Sequence, residues 1–169
     1  MRHTKKGQLW NLDFMMAFII FVFAILIFFV YMVQIREGYS PTESRLITEA
    51  KDLSDRITSN GKPSSWNEDT VYEIGIMSMD LRINATKVQM FENLKDDDYV
   101  NTKRLLGTRH DYRIQFKDGD GGIKSIGGIT AIGMPGMDDE DIEGHESVVK
   151  IVRFGFYDQE IVKIVVLVW

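Results

Sequence analysis

The residues with chemistry to offer are few and far apart. Three histidines, His3, His110 and His145, stand in a chain of 169 residues without cysteine, so thiol nucleophiles, thiolate metal sites and disulfides are excluded. His110-Asp111 and the run Gly144-His145-Glu146-Ser147 contain the residue types of a hydrolase triad, in which an oriented imidazole takes a proton from a hydroxyl. These types are common, nothing in their spacing fixes a geometry, and no HExxH, nucleophile elbow or phosphate loop accompanies them, so the expectation is that the protein is not an enzyme. Asp118-Gly119-Asp120-Gly121-Gly122 has the acid and glycine alternation of a calcium loop but lacks the later ligands and the bidentate glutamate, and reads better as a hairpin turn. The acids from Asp138 to Glu143 read as a solvated loop, and the nine methionines do not form a ligand series. No metal and no cofactor is expected. Asn84-Ala85-Thr86 is the one N-x-[ST] sequon: in an exported domain it offers Asn84 to N-glycosylation, while the same side chain is suited to capping a helix.

The elements that would hold these residues are divided by one long apolar run. Phe14 to Val33 is twenty residues without a charge, amide, glycine or proline, about 30 Å of helix, which predicts a transmembrane span. Arg2, Lys5 and Lys6 precede it, whereas the nearest cations beyond it, Arg36 and Arg45, are mixed with Glu37 and Glu43; this bias places the N-terminus in the cytoplasm and the rest outside. The run is longer than a secretory h-region and no small-x-small site follows it, so the span is expected to be retained. Of the chain's 20 cations and 25 acids, residues 1–13 hold three and one, which leaves 17 against 24 for the exported part. Such an acidic exterior disfavours nucleic acid as a partner.

Beyond the span, Gly38 and Pro41 predict a helix break near Glu37, and Ser40-Pro41-Thr42-Glu43 opens a new helix. Leu46, Ala50, Leu53 and Ile57 form one apolar stripe on it, ending before Asn60-Gly61. Trp66 is expected as a lid on the core, and residues 70–78 as a strand. Asn84 caps a helix to about Leu94 with Val88 and Phe91 facing inward. The run Asp96-Asp97-Asp98 begins another helix, Tyr99 to Leu106, stopped by Gly107. Tyr112, Ile114 and Phe116 alternate as a strand that turns at 117–122 and returns over 123–129; a long loop, 133–144, precedes two closing strands, about 147–157 and 159–168. The last is apolar on both faces except at Lys163, which predicts a central strand. The fold class is therefore α+β: one N-terminal transmembrane helix, then an extracytoplasmic head with an amphipathic helix packed on a mainly antiparallel sheet. The expected divisions are a leader, 1–13, a span, 14–33, and a head, 34–169.

The leader RHTKKGQLWNLDF, running directly into the span, resembles the class III signal peptides of archaeal type IV pilin-like proteins. So do the phrases LSDRITSNGKPSSWN, RINATKVQMFENL, DYVNTKRLLG and IVKIVVLVW further along the chain. The resemblance implies cleavage by a prepilin-type peptidase at Gly7, Gln8 and Leu9, before the apolar helix, with Asp13 registering neighbouring subunits by pairing with a new N-terminal amine. A cut after Gly7 makes Asp13 the sixth residue, where pilins usually carry the carboxylate fifth; a cut after Gln8 restores the fifth. The function so implied is a pilin-like or pseudopilin-like structural subunit of an archaeal surface filament or secretion apparatus, partnered by the lipid bilayer, the peptidase and pilin-like subunits. The alternative is an uncleaved single-pass membrane protein with an envelope binding domain, in which Asp13 sits at headgroup level near a helix N-terminus.

Overall fold

The structure, a computed structural model, describes residues 6–37, 41–138, 141–142 and 144–169, with side chains in the first helix from Asp13 to Val33 and in the second from Glu43 onward. The chain divides into two compact units, Met1–Pro41 and Thr42–Trp169. The first contains one continuous helix, α1 (Lys6–Glu37), which ends where the sequence places the break. Within it Asp13–Val33 has a mean hydropathy of 3.0 over 21 residues, and every one of those side chains is exposed. This helix is long and apolar enough to span a membrane.

The second unit is α+β. Three helices, α2 (Pro41–Ile57), α3 (Ala85–Asp97) and α4 (Tyr99–Leu106), precede four strands, β1 (Tyr112–Lys117), β2 (Ala131–Gly133), β3 (Val149–Tyr157) and β4 (Glu160–Val168). The sheet is antiparallel throughout, in the order β2-β1-β4-β3, so the last strand is central, as its two apolar faces require. One face of the sheet carries Tyr112, Ile114, Phe116, Val162, Ile164 and Val166, all buried, and the α2 stripe of Leu46, Ala50, Leu53 and Ile57 is buried with them. The link between them is polar at its edge: Arg153 of β3 donates to Ser54 Oγ at 3.0 Å and pairs with Asp55.

Local chemistry sets the helix ends. Asn84 Oδ1 accepts the N–H groups of Thr86 (3.0 Å) and Lys87 (3.2 Å) at the start of α3. Asp98 both closes α3, its N–H reaching Leu94 O, and opens α4, its carboxylate accepting from Asn101 N–H at 2.9 Å. Asp96 and Asp97 therefore belong to the last turn of α3 and not to the start of α4; Lys95, 2.6 Å from Asp96, offsets part of their charge there. Gly107, at φ 72°, terminates α4 in the left-handed conformation.

Two expected strands take other forms. Residues 70–78 make only single bridges, Lys62↔Glu73 and Met77↔Ile83, because their backbone groups are satisfied by the end of α2: Ile76 N–H donates to Ile57 O and Met77 N–H to Ser59 O. Gly75 permits that approach, since a Cβ there would lie 2.3 Å from the nitrogen of Gly61. The return strand over 123–129 is cut short by Gly127 and Gly128, which turn the chain so that Ile126 and Ile129 bond each other; β1 is partnered instead by β2.

Candidate functional site

The sequence-predicted processing site falls in the first unit. Gly7, Gln8 and Leu9 lie in the opening turns of α1, and Asp13 stands exposed at the N-terminal edge of the apolar stretch. At about 1.5 Å per residue Asp13 is about 9 Å along the helix from Gly7. Near a helix N-terminus a carboxylate is favoured by the dipole, and at the edge of hydrocarbon it is costly unless it meets water, headgroups or a cation.

In the second unit the triad residue types do not converge. Glu49 Oε2, on α2, accepts from Thr108 Oγ1 and Arg109 N–H at 3.3 Å and lies 3.8 Å from His110 Nε2, tying α2 to the connection between α4 and β1. Asp111 turns elsewhere, accepting from Tyr99 Oη (3.1 Å) and Lys103 Nζ (2.8 Å). His145 packs against Trp169, ring centroids 5.6 Å apart and the planes tilted by 35°. Asp118 Oδ1 accepts from Asp120 N–H (3.0 Å) and Gly122 N–H (2.7 Å), so the alternating acids and glycines build a turn, as the sequence suggests. Asp138 and Asp141 likewise accept each other's N–H groups, and the remaining acids of that loop, Asp139, Glu140 and Glu143, lie outside the described residues. Among the described residues no three His, Asp or Glu side chains group as a metal site.

Asn84 is exposed, and capping engages its oxygen and leaves its amide nitrogen, the atom a glycan would take, outside the cap bonds. Behind it Lys87, which sequence reasoning passes over as one more helix lysine, is buried with Nζ donating to Asn60 O, Asn60 Oδ1 and Ser64 O at 2.7, 2.7 and 2.8 Å. Burial pushes its ammonium below the ordinary lysine value.

The second surface that sequence reasoning passes over is the sheet face turned away from α2. By strand alternation and register it carries Arg113, Lys117, Lys150 and Lys163 and no acid, on an otherwise acidic chain. One end is roofed by the buried Ile142 over a groove of about 380 Å³ beside Gln115, Lys117, His145 and Lys150. The other end exposes Val152, Phe154, Phe156 and Ile161. The signal was in the alternation of β3, whose Val152, Phe154 and Phe156 share one face while Arg153 and Gly155 share the other. Set against protein-family models, curated proteins and solved structures, the chain matches none of them.

Proposed function

We propose that this protein is a type IV pilin-like structural subunit, a single-pass protein of the cell membrane with its N-terminus in the cytoplasm and its α+β unit on the extracellular side. It assembles with copies of itself or with other pilin-like subunits of an archaeal surface filament or secretion apparatus. The observation that carries this reading is α1: an exposed apolar stretch of twenty residues, Phe14 to Val33, about the thickness of bilayer hydrocarbon, entered through a short basic segment and a carboxylate at Asp13. An apolar helix of this kind needs lipid before assembly and other helices after it, where close packing replaces lipid contacts and an interhelical charge pair fixes the register. Removal of the leader by a prepilin-type peptidase at Gly7, Gln8 and Leu9 would supply the amine for Asp13.

The test is the intact mass and N-terminal sequence of the protein taken from its native membrane. The expected start is Gln8 or Leu9. Gly7→Leu should retain Met1, and Asp13→Ala should be processed yet yield about tenfold less filament, with an α+β unit that unfolds at the unchanged temperature. A wild-type start at Met1 would reject the processing step and leave the uncleaved anchored domain as the reading.

A further inference from the structure

β3 is one of the two edge strands of the sheet. Phe156 donates its N–H to Leu81 O at 2.9 Å and accepts from Ile83 N–H at 2.8 Å, both on the side away from β4. Backbone groups alternate sides along a strand, so Lys150, Val152 and Phe154 turn theirs to that same side, where the sheet has no further strand among the described residues. Val152 and Phe154 are 40% and 58% exposed. The ladder to β4 runs from Val149 to Tyr157 without a bulge or a proline; Lys150 guards one end of the edge and the 81–83 segment covers the other at Phe156, which leaves Val152 and Phe154 open between them.

We propose that this edge pairs with the same edge of a second copy of the chain, antiparallel about a two-fold axis at Val152, joining two four-stranded sheets into one. The register follows by elimination. An axis at Arg153 or Phe154 carries the new ladder into Phe156, whose edge groups are already taken by Leu81 and Ile83. An axis at Lys150 sets two ammonium groups directly opposite each other, which is destabilising. An axis at Ile151 runs Phe154 past the end of the strand, opposite Val148. The axis at Val152 sets that residue against its own copy and places each Lys150 opposite the ring of a Phe154, a complementary cation and π-face, with about six new backbone hydrogen bonds. On the other face Arg153, already paired with Asp55, meets Ile151, so no like charges oppose. A second copy is the occupant because a two-fold interface supplies both halves from one surface, and on this strand Lys150 and the exposed Phe154 stand equally far on either side of Val152, so each cation meets the other copy's ring. The argument rests on the α+β unit and is independent of the membrane reading.

The test is cysteine cross-linking of the full chain in detergent micelles, which the cysteine-free sequence makes direct. Residues opposite each other in such a pair have Cα atoms about 5.5 Å apart, within disulfide reach. Under mild oxidation Val152→Cys should dimerise about tenfold more than Met79→Cys, an exposed position off the sheet, and Lys150→Cys should stay at the Met79→Cys level. Adding Phe154→Lys to Val152→Cys should remove the excess by opposing it to Lys150, and adding Lys150→Glu as well should restore it. Equal cross-linking at all three cysteine positions would overturn the proposal and point to association through α1 alone. So would no dimer from Val152→Cys while Asp13 and α1 still support filaments, which would leave the membrane reading standing.

Discussion

Tyr99 donates its hydroxyl to Asp111 and accepts the N–H of Tyr112 at 3.2 Å, while Tyr112 donates to Thr102 Oγ1 at 3.0 Å and the two rings pack 5.4 Å apart. Burial raises both phenols well above their ordinary value of 10.0, so the folded unit keeps two protons that the unfolded chain releases near that pH. Stability from this pair is therefore complete below about pH 10 and lost as the pH climbs above it, by up to about 1.4 kcal/mol per pH unit for each phenol. Urea midpoints at pH 8, 10 and 11 should fall steeply above pH 10, and Tyr99→Phe should shed part of the excess slope, the more deeply buried Tyr112 keeping the larger share; a slope unchanged in Tyr99→Phe would place the Tyr99 hydroxyl in water. None of this network could be read from the chain, because Asp111 and Tyr99 have no shared motif and meet only through the fold. The same holds for Glu49 and His110, sixty-one positions apart in the numbering, and for Lys87, whose partners lie in the turn after another helix. By contrast Asn84 was legible, since a cap acts on backbone two and three residues away.

At the scale of elements, the features set by local chemistry or strong periodicity were legible: the α1 boundary, the α2 stripe, the Asn84 and Asp98 caps, and the central place of β4. The strand expected over 70–78 was not, because its apolar residues Ile74, Ile76 and Met77 pack under a helix terminus whose carbonyls take their N–H groups, a tertiary choice that alternation does not record. β2 was missed for a similar reason: three residues carry too little pattern to announce a strand. The double meaning of Asn84 can be separated by substitution. Asn84→Ala should cost about 1 kcal/mol by loss of the α3 cap, whereas Asn84→Asp keeps an acceptor at the cap and should cost little. Both remove the sequon, so a glycan would vanish from the mass of the native protein in each variant while the unfolding midpoint moved in only one. A midpoint that fell equally in both would assign the loss to the glycan.

For the whole molecule, the division into an apolar helix and a separately packed α+β unit predicts how it partitions. The full chain should stay with membranes through high-salt and urea washes and leave only in detergent, since the twenty apolar residues Phe14 to Val33, once in a bilayer, would outweigh any headgroup attraction that salt can screen; release by salt would mean a peripheral attachment. The strand order has a further consequence, for the timing of folding. β1 and β3 both pair with β4, the last of the four strands to be synthesised, and Arg153 of β3 must return to Ser54 across most of the unit. Until residues 160–168 have emerged, the two strands beside them have no common partner and β1 has only β2 to pair with. A nascent chain of this topology cannot complete its sheet before β4 has been made, so the strands on either side of β4 are joined only by that last addition.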